Sequence, residues 1–306
     1  MEILLYTIVF LLLLVVSNVT NRFLPQLPLP LVQIVLGISL GFILPQEKFH
    51  LDTELFLALV IGPLLFREAE ESNITSILKH WRIVLYLIFP VIFISTVGLG
   101  YLAHLLWGAL PLAACVAVGA ALGPTDLVAF ASLSERFSFP KRVENILKGE
   151  GLLNDASGLV AFRVALLAWT TGSFSLGKAS ISLVLSIIGG FAIGMLSAGL
   201  NRWLHKLLMS AQVSDIASEL LLELSLPLVT FFLAEEIHVS GIIAVVVAGI
   251  FKASRFKRIT LLEAQVDSVT ETIWNTVNFM LNGSVFIILG MELEMIAEPI
   301  LKSPIY

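Results

Sequence analysis

Long apolar runs dominate the chain, and most charged residues fall between them rather than inside them. A helix needs roughly 20 mostly apolar residues to cross a bilayer, with a range of about 17–25. The runs are continuous and rich in Leu, Ile and Val, which indicates helices buried in lipid. The pattern predicts an all-α polytopic membrane protein with ten membrane-spanning helices, at 3–19, 29–44, 52–68, 82–106, 110–133, 143–169, 179–202, 214–235, 239–252 and 267–292.

Composition supports a membrane location and one domain. Of the 306 residues, 58% are hydrophobic and 13% are charged, whereas soluble domains carry about 25% charged residues. The mean hydropathy is +0.96. No polar linker divides the chain, so we expect a single transmembrane domain over 1–306. The net charge of −5 is not concentrated in a tail, which argues against a nucleic-acid partner.

The distribution of basic residues predicts the orientation. Short cytoplasmic loops accumulate Lys and Arg. If the N-terminus lies outside, fourteen of the eighteen Lys and Arg residues fall on the cytoplasmic side. The sequence therefore predicts a multi-pass protein of the cell membrane, in contact with the lipid bilayer, with its N-terminus outside.

The fifth predicted helix contains a break near its centre. Gly123 and Pro124 are followed directly by Thr125 and Asp126. Proline removes a backbone donor and clashes with the preceding turn, and glycine adds backbone freedom. A broken helix at membrane depth offers carbonyl oxygens and helix ends as ion ligands. A simple proline kink is the alternative.

The sixth predicted helix carries a second polar group at membrane depth. Asn154 and Asp155 lie near its midpoint, and Ser157 follows. Ionisable residues in mid-membrane are costly and are therefore candidates for function. Glu150 lies nearer the cytoplasmic end, where we favour a structural ion pair. Arg163 lies about two turns beyond Asp155, where it either pairs with a carboxylate and tunes the site or snorkels to the interface.

These residues suit exchange of a proton for a monovalent cation. Burial disfavours the charged form of a carboxylate, whereas a nearby cation favours it. One carboxyl group can therefore hold either a proton or a cation. Asp155 and Asp126 are the expected ligands of transported Na⁺, with Li⁺ or K⁺ as alternatives, and neither binds a structural metal. Asn154, Thr125 and Ser157 supply further oxygens.

Other polar clusters are interpreted as surface or packing features. One group closes the third helix and is interpreted as a solvated helix end: Arg67, Glu68, Glu70 and Glu71. Another precedes the ninth helix and is interpreted as a surface or packing group: Glu235, Glu236 and His238. The Gly190–Gly194 spacing in the seventh helix predicts close helix packing, either inside the protomer or across a dimer.

Motifs of other function classes are missing from the sequence. It has no Gly-rich phosphate loop, no Cys/His cluster and no Ser/His/Asp constellation. We therefore expect neither an enzyme nor a cofactor. An intramembrane aspartyl protease is a weaker alternative, because two aspartates lie on successive helices but the GxGD context is absent.

The motifs resemble the monovalent cation:proton antiporter-1 family of bacterial sodium/proton exchangers. The Thr-Asp and Asn-Asp motifs, in this order on successive helices, are the specific part of the resemblance, which extends over nearly the whole chain. The matching pieces are GAALGPTDLVAFASLSE at 119–135, GEGLLNDASGLVAFRVAL at 149–166, LPLVQIVLGISLGFILP at 29–45, IGPLLFREAE at 61–70 and AEEIHVSGIIAVVVAGI at 234–250.

The resemblance implies a site and a stoichiometry. The family's broken-helix Thr-Asp pair falls on Thr125 and Asp126, its ion-binding pair on Asn154 and Asp155, and its structural glutamate on Glu150. An Asn-Asp pair implies electroneutral exchange, one cation per proton. Some members have a serine ligand directly after the glutamate, where this chain has glycine. The family also implies a homodimer.

The resemblance further implies a fold of thirteen helices, built from two inverted six-helix repeats and a linking helix. Ten are predicted here, so we expect a chain that is incomplete at its C-terminus. The expected missing part includes a second broken helix and the arginine partner of Glu150. A truncated, non-transporting remnant or scaffold is therefore an alternative function for the isolated chain.

Overall fold

The computed structural model describes residues 2–43, 52–72, 86, 92–108, 110–124, 139–171, 176–211, 215–253 and 261–302. Within these ranges the chain forms ten helical segments and no strand, which confirms the all-α prediction. The third segment, α3, covers 53–71 in three consecutive pieces: Thr53–Phe56, a π-helical turn at Leu57–Ile61, and Gly62–Glu71. The other helices are α1 Glu2–Phe23, α2 Leu29–Ile43, α4 Ile92–Leu106, α5 Leu112–Leu122, α6 Lys141–Thr171, α7 Leu176–Ser210, α8 Ile216–Glu236, α9 Gly241–Ala253 and α10 Leu261–Lys302.

Two helices are much longer than their apolar runs. α7 has 35 residues and α10 has 42, whereas the predicted spans were 179–202 and 267–292. The apolar run marks only the part of a helix that suits lipid, and the backbone hydrogen bonding continues into the polar residues beyond it. Helix ends are therefore the least predictable feature.

Aspartates cap two of the helices. The Asp52 carboxylate accepts the N–H groups of Glu54 and Leu55 at 2.9 and 3.1 Å, at the start of α3. The Asp215 carboxylate accepts the N–H of Ser218 at 3.0 Å, at the start of α8. These bonds satisfy donors that have no partner in the first turn of a helix.

The chain divides into two compact units, Met1–Leu64 with Thr260–Tyr306, and Leu65–Ile259. The first unit contains α1, α2, the first part of α3, and α10. The second contains the last part of α3 and α4 to α9, including all the predicted site residues that the structure describes. The assignment of 1–306 to a single domain stays a prediction.

In the first unit, α2 and α10 pack backbone to backbone. A Cβ atom added to Gly37 would overlap the carbonyl oxygen of Ile287 and lie 3.0 Å from the Cα of Gly290. A Cβ added to Gly290 would overlap the carbonyl oxygen of Ile34. Glycine at both positions is what allows this close approach.

In the second unit, the two glycines at GxxxG spacing face α9. A Cβ added to Gly190 would lie 2.7 Å from the carbonyl oxygen of Ser240, and one added to Gly194 would overlap the carbonyl oxygen of Ala244. These glycines therefore pack α7 against α9 inside the protomer. Of the two predicted roles for this spacing, the internal one is confirmed.

Three helices in the described ranges are long and apolar enough to cross a membrane: Leu185–Ser210, Ile216–Glu236 and Ser268–Leu293. Six shorter apolar helices of 10–17 residues lie in α1, α2, α4, α5, α6 and α9. Fewer than the predicted ten helices reach spanning length here, because several predicted spans, such as 82–106 and 110–133, continue outside the described ranges. Many large apolar side chains on these helices are exposed, which suits contact with lipid.

Candidate functional site

The fifth predicted helix corresponds to α5, which ends next to Gly123 and Pro124. The helix ends at Leu122, and Gly123 and Pro124 form a bend directly after it. Pro124 has no N–H to donate to the carbonyl oxygen of Ala120, four residues earlier. The bend therefore leaves a backbone oxygen without its usual partner inside the helix. We call Gly123 and Pro124 the break.

α6 packs directly against the break. A Cβ atom added to Gly158 would overlap the Cγ of Pro124 and lie 3.5 Å from the carbonyl oxygen of Ala120. Asn154 and Asp155 both belong to α6, and Asp155 precedes Gly158 by three residues, a little less than one turn. The structure thus brings the helix that carries the predicted Asn-Asp pair against the broken end of α5.

The other predicted site residues have different outcomes. Glu150 is 7% exposed and Ser157 is half-buried, and both have interaction partners. The burial of Glu150 suits the structural role that the resemblance implies. Thr125 and Asp126 fall outside the described residues, so their part in ion binding stays a prediction.

α4 covers a neighbouring face of α5 at equally close range. A Cβ atom added to Gly119 would lie 2.7 Å from the backbone nitrogen of Gly100. A Cβ added to Gly100 would lie 2.9 Å from the Cα of Val116. Because the two backbones are in contact, the side chains that lie about one turn before Gly100 in α4 are held close to the end of α5.

Two hydroxyl groups of α4 lie beside the break, and the sequence analysis missed both. A Cβ atom added to Gly123 would lie 3.3 Å from Ser95 Oγ and 3.4 Å from Thr96 Oγ1. Thr96 is 6% exposed, and its hydroxyl has no hydrogen-bond partner in the described part of the chain. The feature of the sequence that could have indicated them is the Ser-Thr pair at 95–96, in the middle of the mostly apolar predicted helix 82–106.

Arg163 forms an ion pair with Glu235. Arg163 Nη1 lies 3.0 Å from Glu235 Oε1, and the same oxygen accepts the backbone N–H of Gly241 at 3.2 Å. One carboxylate therefore joins α6, the end of α8 and the start of α9. Arg163 does pair with a carboxylate, and the interpretation of Glu235 as a surface or packing residue missed its role as that partner.

A second group of charges lies near the ends of α3 and α9. Lys252 Nζ lies 2.9 Å from Glu70 Oε1 and also forms an ion pair with Glu223. Arg67 Nη1 lies 2.9 Å from Glu70 Oε2. The four side chains, which we call the Lys252 cluster, are only 11–16% exposed. The interpretation of the end of the third helix as solvated is therefore wrong for Arg67 and Glu70, because α8 and α9 supply partners that cover them.

A cavity of about 30 Å³ adjoins the Lys252 cluster. Asn201 and Arg202 line it together with Lys252 and with His205 and Glu219, whose side chains contact each other through His205 Nδ1 and Glu219 Oε2. This volume is large enough for water, and the polar and charged side chains that line the cavity suit water.

The oxygen atoms near the break belong to the backbone and to hydroxyl groups. Among the described residues, no group of three His, Cys, Asp or Glu side chains is placed to hold a metal ion. The break offers a backbone carbonyl and hydroxyl groups, and α6 carries a carboxylate one turn away. Such oxygens suit hard cations. A broken helix against a helix with an Asn-Asp pair is typical of a secondary transporter.

Comparison with known proteins identifies the family. The sequence profile described as "Sodium/hydrogen exchanger, transmembrane" matches residues 7–304. The chain therefore belongs to the sodium/hydrogen exchanger family, which confirms the resemblance drawn from its motifs. It is a family of membrane transport proteins, not of enzymes.

Two curated relatives from Bacillus are among the similar proteins. The chain is 40% identical over 293 residues to a "Sodium, potassium, lithium and rubidium/H(+) antiporter" of Bacillus subtilis (strain 168), covering 96% of this chain and 44% of the relative. It is 37% identical over 302 residues to the protein of the same name from Bacillus pumilus (strain SAFR-032), covering 99% and 45%. The chain thus spans less than half the length of these two relatives.

The fold is also similar to a solved antiporter structure. The chain matches the sodium proton antiporter MjNhaP1 from Methanocaldococcus jannaschii with a TM-score of 0.74 and 18% identity. The match covers 95% of this chain and 71% of that one. The likeness shows that the helices have the arrangement of an antiporter fold.

Proposed function

We propose that the chain carries the ion-exchange site of a secondary active antiporter that exchanges a monovalent cation for a proton. Na⁺ is the expected cation, with Li⁺ and K⁺ as alternatives. The names of the two Bacillus relatives, which include sodium, potassium, lithium and rubidium, support a site for monovalent cations in general. Such exchange would serve sodium and pH homeostasis.

The observation that carries the proposal is the contact between Gly158 and the break. This contact holds α6 against Pro124, less than one turn from Asp155 along the helix. A carboxyl group, a backbone oxygen and hydroxyl groups together can take up a cation that has shed part of its water. The contact thus supports an ion site formed jointly by α5 and α6.

The proposed mechanism is competition for one carboxyl group. When Asp155 is protonated, it is neutral and has little affinity for a cation. When it loses the proton, its carboxylate binds the cation, with Asp126, Asn154, Thr125 and Ser157 supplying further oxygens. The C-terminal end of a helix carries a partial negative charge, so the end of α5 favours the cation as well.

Mutually exclusive binding makes the exchange obligatory. The protein turns the site from one side of the membrane to the other only when a proton or a cation occupies it. One cation then moves for each proton, and the cycle is electroneutral. A rate that does not change when the membrane potential is clamped supports this stoichiometry, and a strong voltage dependence contradicts it. The homodimer and the N-outside orientation stay predictions of the sequence.

Asp155→Asn tests the proposal. The amide keeps the size of the side chain but cannot carry a proton or a full negative charge. We expect Na⁺-driven proton movement in proteoliposomes to fall to the level of empty vesicles, while the protein stays folded and inserted. Asp215→Asn is the matched control, because it makes the same chemical change at an exposed helix cap. Unchanged exchange by Asp155→Asn would show that another group carries the ions.

A further inference from the structure

The hydroxyl of Thr96 is buried beside the break, with no hydrogen-bond partner among the described residues. Thr96 is 6% exposed, and its Oγ1 has no partner in the described residues. It lies 3.4 Å from the position that a Cβ atom would take on Gly123. The neighbouring Ser95 hydroxyl lies at a similar distance but does have an interaction partner. Thr96 is therefore the open group of the pair.

Several hydroxyl groups in the described helices are satisfied by their own backbone, and the hydroxyl of Thr96 is not. In α10, Thr272, Thr276 and Ser284 each donate to the carbonyl oxygen four residues earlier, at distances between 2.6 and 3.2 Å. This local bond is the ordinary way for a hydroxyl to be satisfied in a helix. Thr96 does not make it, although burying an unbonded hydroxyl is costly. Thr230 and Thr270 are also buried and unbonded within the described residues. Thr96 differs from them in its position beside the break, where a bound cation can take the place of the missing partner.

The surroundings of Thr96 point to a cation as that partner. The hydroxyl is directed toward Gly123, at the C-terminal end of α5, where the helix dipole favours positive charge. The adjacent face of the same helix end carries the Ala120 carbonyl and contacts α6 through Gly158. A cation held between α5 and α6 at the break would also face α4, which presents the neutral hydroxyl oxygen of Thr96.

We propose that Thr96 is a cation-binding residue of the exchange site, whose hydroxyl oxygen replaces a water molecule lost by the cation on entry. The proposal rests on the proposed function, since it assigns a further ligand to the same site. The hydroxyl is neutral in both halves of the cycle. It therefore contributes to cation affinity without taking part in proton binding, which stays with Asp155.

Thr96→Val tests the proposal, because valine keeps the shape of threonine and removes the oxygen. We expect the KM for Na⁺ to rise roughly five- to tenfold, the effect of losing one ligand bond, with the maximal rate within about twofold of wild type. Thr96→Ser retains the oxygen, and we expect it to restore the KM to about the wild-type value. The measurement is the initial rate of proton movement in proteoliposomes against Na⁺ concentration at one pH.

Thr230→Val is the matched control. Thr230 is fully buried in α8, and its hydroxyl also has no partner in the described residues. The change therefore removes the same atoms from an equally buried position on another helix. We expect its KM for Na⁺ to equal that of wild type. A similar KM for Thr96→Val and wild type, or an equal rise in Thr230→Val, would overturn the role of Thr96.

A binding measurement separates this inference from the proposed function. Na⁺ bound at the site raises the melting temperature of the purified protein in detergent. We expect a smaller rise for Thr96→Val than for wild type, Thr96→Ser and Thr230→Val. If the wild-type chain binds Na⁺ but moves no protons, the antiporter proposal fails and this comparison still decides the role of Thr96. Equal rises, or no rise in wild type, would overturn it.

Discussion

The Lys252 cluster and the break both hold polar atoms inside the second compact unit, but in opposite states. In the cluster, Lys252 is paired with Glu70 and Glu223, and Arg67 is paired with Glu70. At the break, the polar atoms are neutral oxygens, and the hydroxyl of Thr96 has no partner in the described residues. One region is thus internally compensated and the other is open.

The difference separates a structural use of polar groups from a functional one. Paired charges in a low-dielectric interior must keep their partners, because removing one leaves the other uncompensated. A site for a transported ion must instead release its ligand in every cycle, so its protein oxygens cannot all be satisfied by one another. We infer that the Lys252 cluster holds helices together and that the break binds the transported cation.

Among changes that alter packing and leave the proposed ion ligands in place, the largest effect on transport is expected from Gly158→Ala, which disrupts the contact between α6 and the break. The added methyl group would overlap the Pro124 ring and push the two elements apart. A displacement of about 1 Å in a binding constellation can cost a hundredfold in rate. We therefore expect Na⁺-driven proton movement in proteoliposomes to fall roughly ten- to a hundredfold.

Gly199→Ala is the control for this change. An added Cβ atom at Gly199 meets nothing within 4 Å, so the variant should exchange ions at the wild-type rate. If Gly158→Ala also exchanged at the wild-type rate, the break and α6 would not form a joint site. The break would then have no role in ion exchange that distinguishes it from the Lys252 cluster.

A large effect on stability, with little effect on ion affinity, is expected from Lys252→Met. The change leaves Glu70 and Glu223 largely buried without their cation. Breaking a fully buried pair costs about 3–5 kcal/mol, and partial exposure reduces the cost here to roughly 2–4 kcal/mol. Part of the loss comes from Phe66, whose ring centroid lies 5.5 Å from Lys252 Nζ. The melting temperature in detergent is the measurement.

Two further variants sharpen this result. Adding Glu70→Gln and Glu223→Gln to Lys252→Met removes the uncompensated charges, so part of the lost stability should return. Arg202→Met removes a positive charge from an exposed side chain, which donates to the Phe251 carbonyl oxygen at 3.3 Å, and should lower the melting temperature much less. A rise in the Na⁺ KM of Lys252→Met as large as that of Thr96→Val would contradict the structural role of the cluster.

The smallest effect is expected at Asp215, an exposed charge that precedes α8. The hydroxyl and the backbone N–H of Ser218 both donate to this carboxylate and lower the pKa of Asp215. The lowered pKa means that the bonds stabilise the fold above the ordinary aspartate pKa, and that this contribution is lost as the pH falls through the lowered pKa.

We therefore expect the melting temperature of wild type to fall slightly more on acidification than that of Asp215→Asn. Asparagine keeps a capping oxygen but does not titrate in this range. At neutral pH, Asp215→Ala should melt at a slightly lower temperature than Asp215→Asn. Equal acid sensitivity of wild type and Asp215→Asn would show that the cap contributes nothing to the pH dependence of stability.

The sequence was sufficient for the helices, because they depend on local features. Apolar runs predicted a helix at each of the ten positions, whereas a broken fifth helix stays a prediction because residues 125–138 lie outside the described ranges. The sequence was not sufficient for contacts between distant parts of the chain. The pairing of Arg163 with Glu235, 72 residues apart, and of Glu70 with Lys252 depends on how helices pack, which hydropathy does not reveal.

Thr96 illustrates the same limit within the site. A hydroxyl in an apolar helix usually bonds to its own backbone, so the Ser-Thr pair at 95–96 is only a weak signal in the sequence. The importance of Thr96 follows from the close approach of α4 to α5 at Gly100 and Gly119. Gly158 was also unremarkable in the sequence, and only the packing of α6 on Pro124 reveals its place beside the break.

The central claim is that a proton and a cation compete for one carboxyl group at this site. The most direct measurement is the initial rate of exchange in proteoliposomes against Na⁺ concentration, repeated at a series of pH values. Competition predicts that acidification raises the KM for Na⁺ while the maximal rate stays constant. A maximal rate that changes with pH at a constant KM would contradict the claim, because it would place the proton and the cation on separate groups.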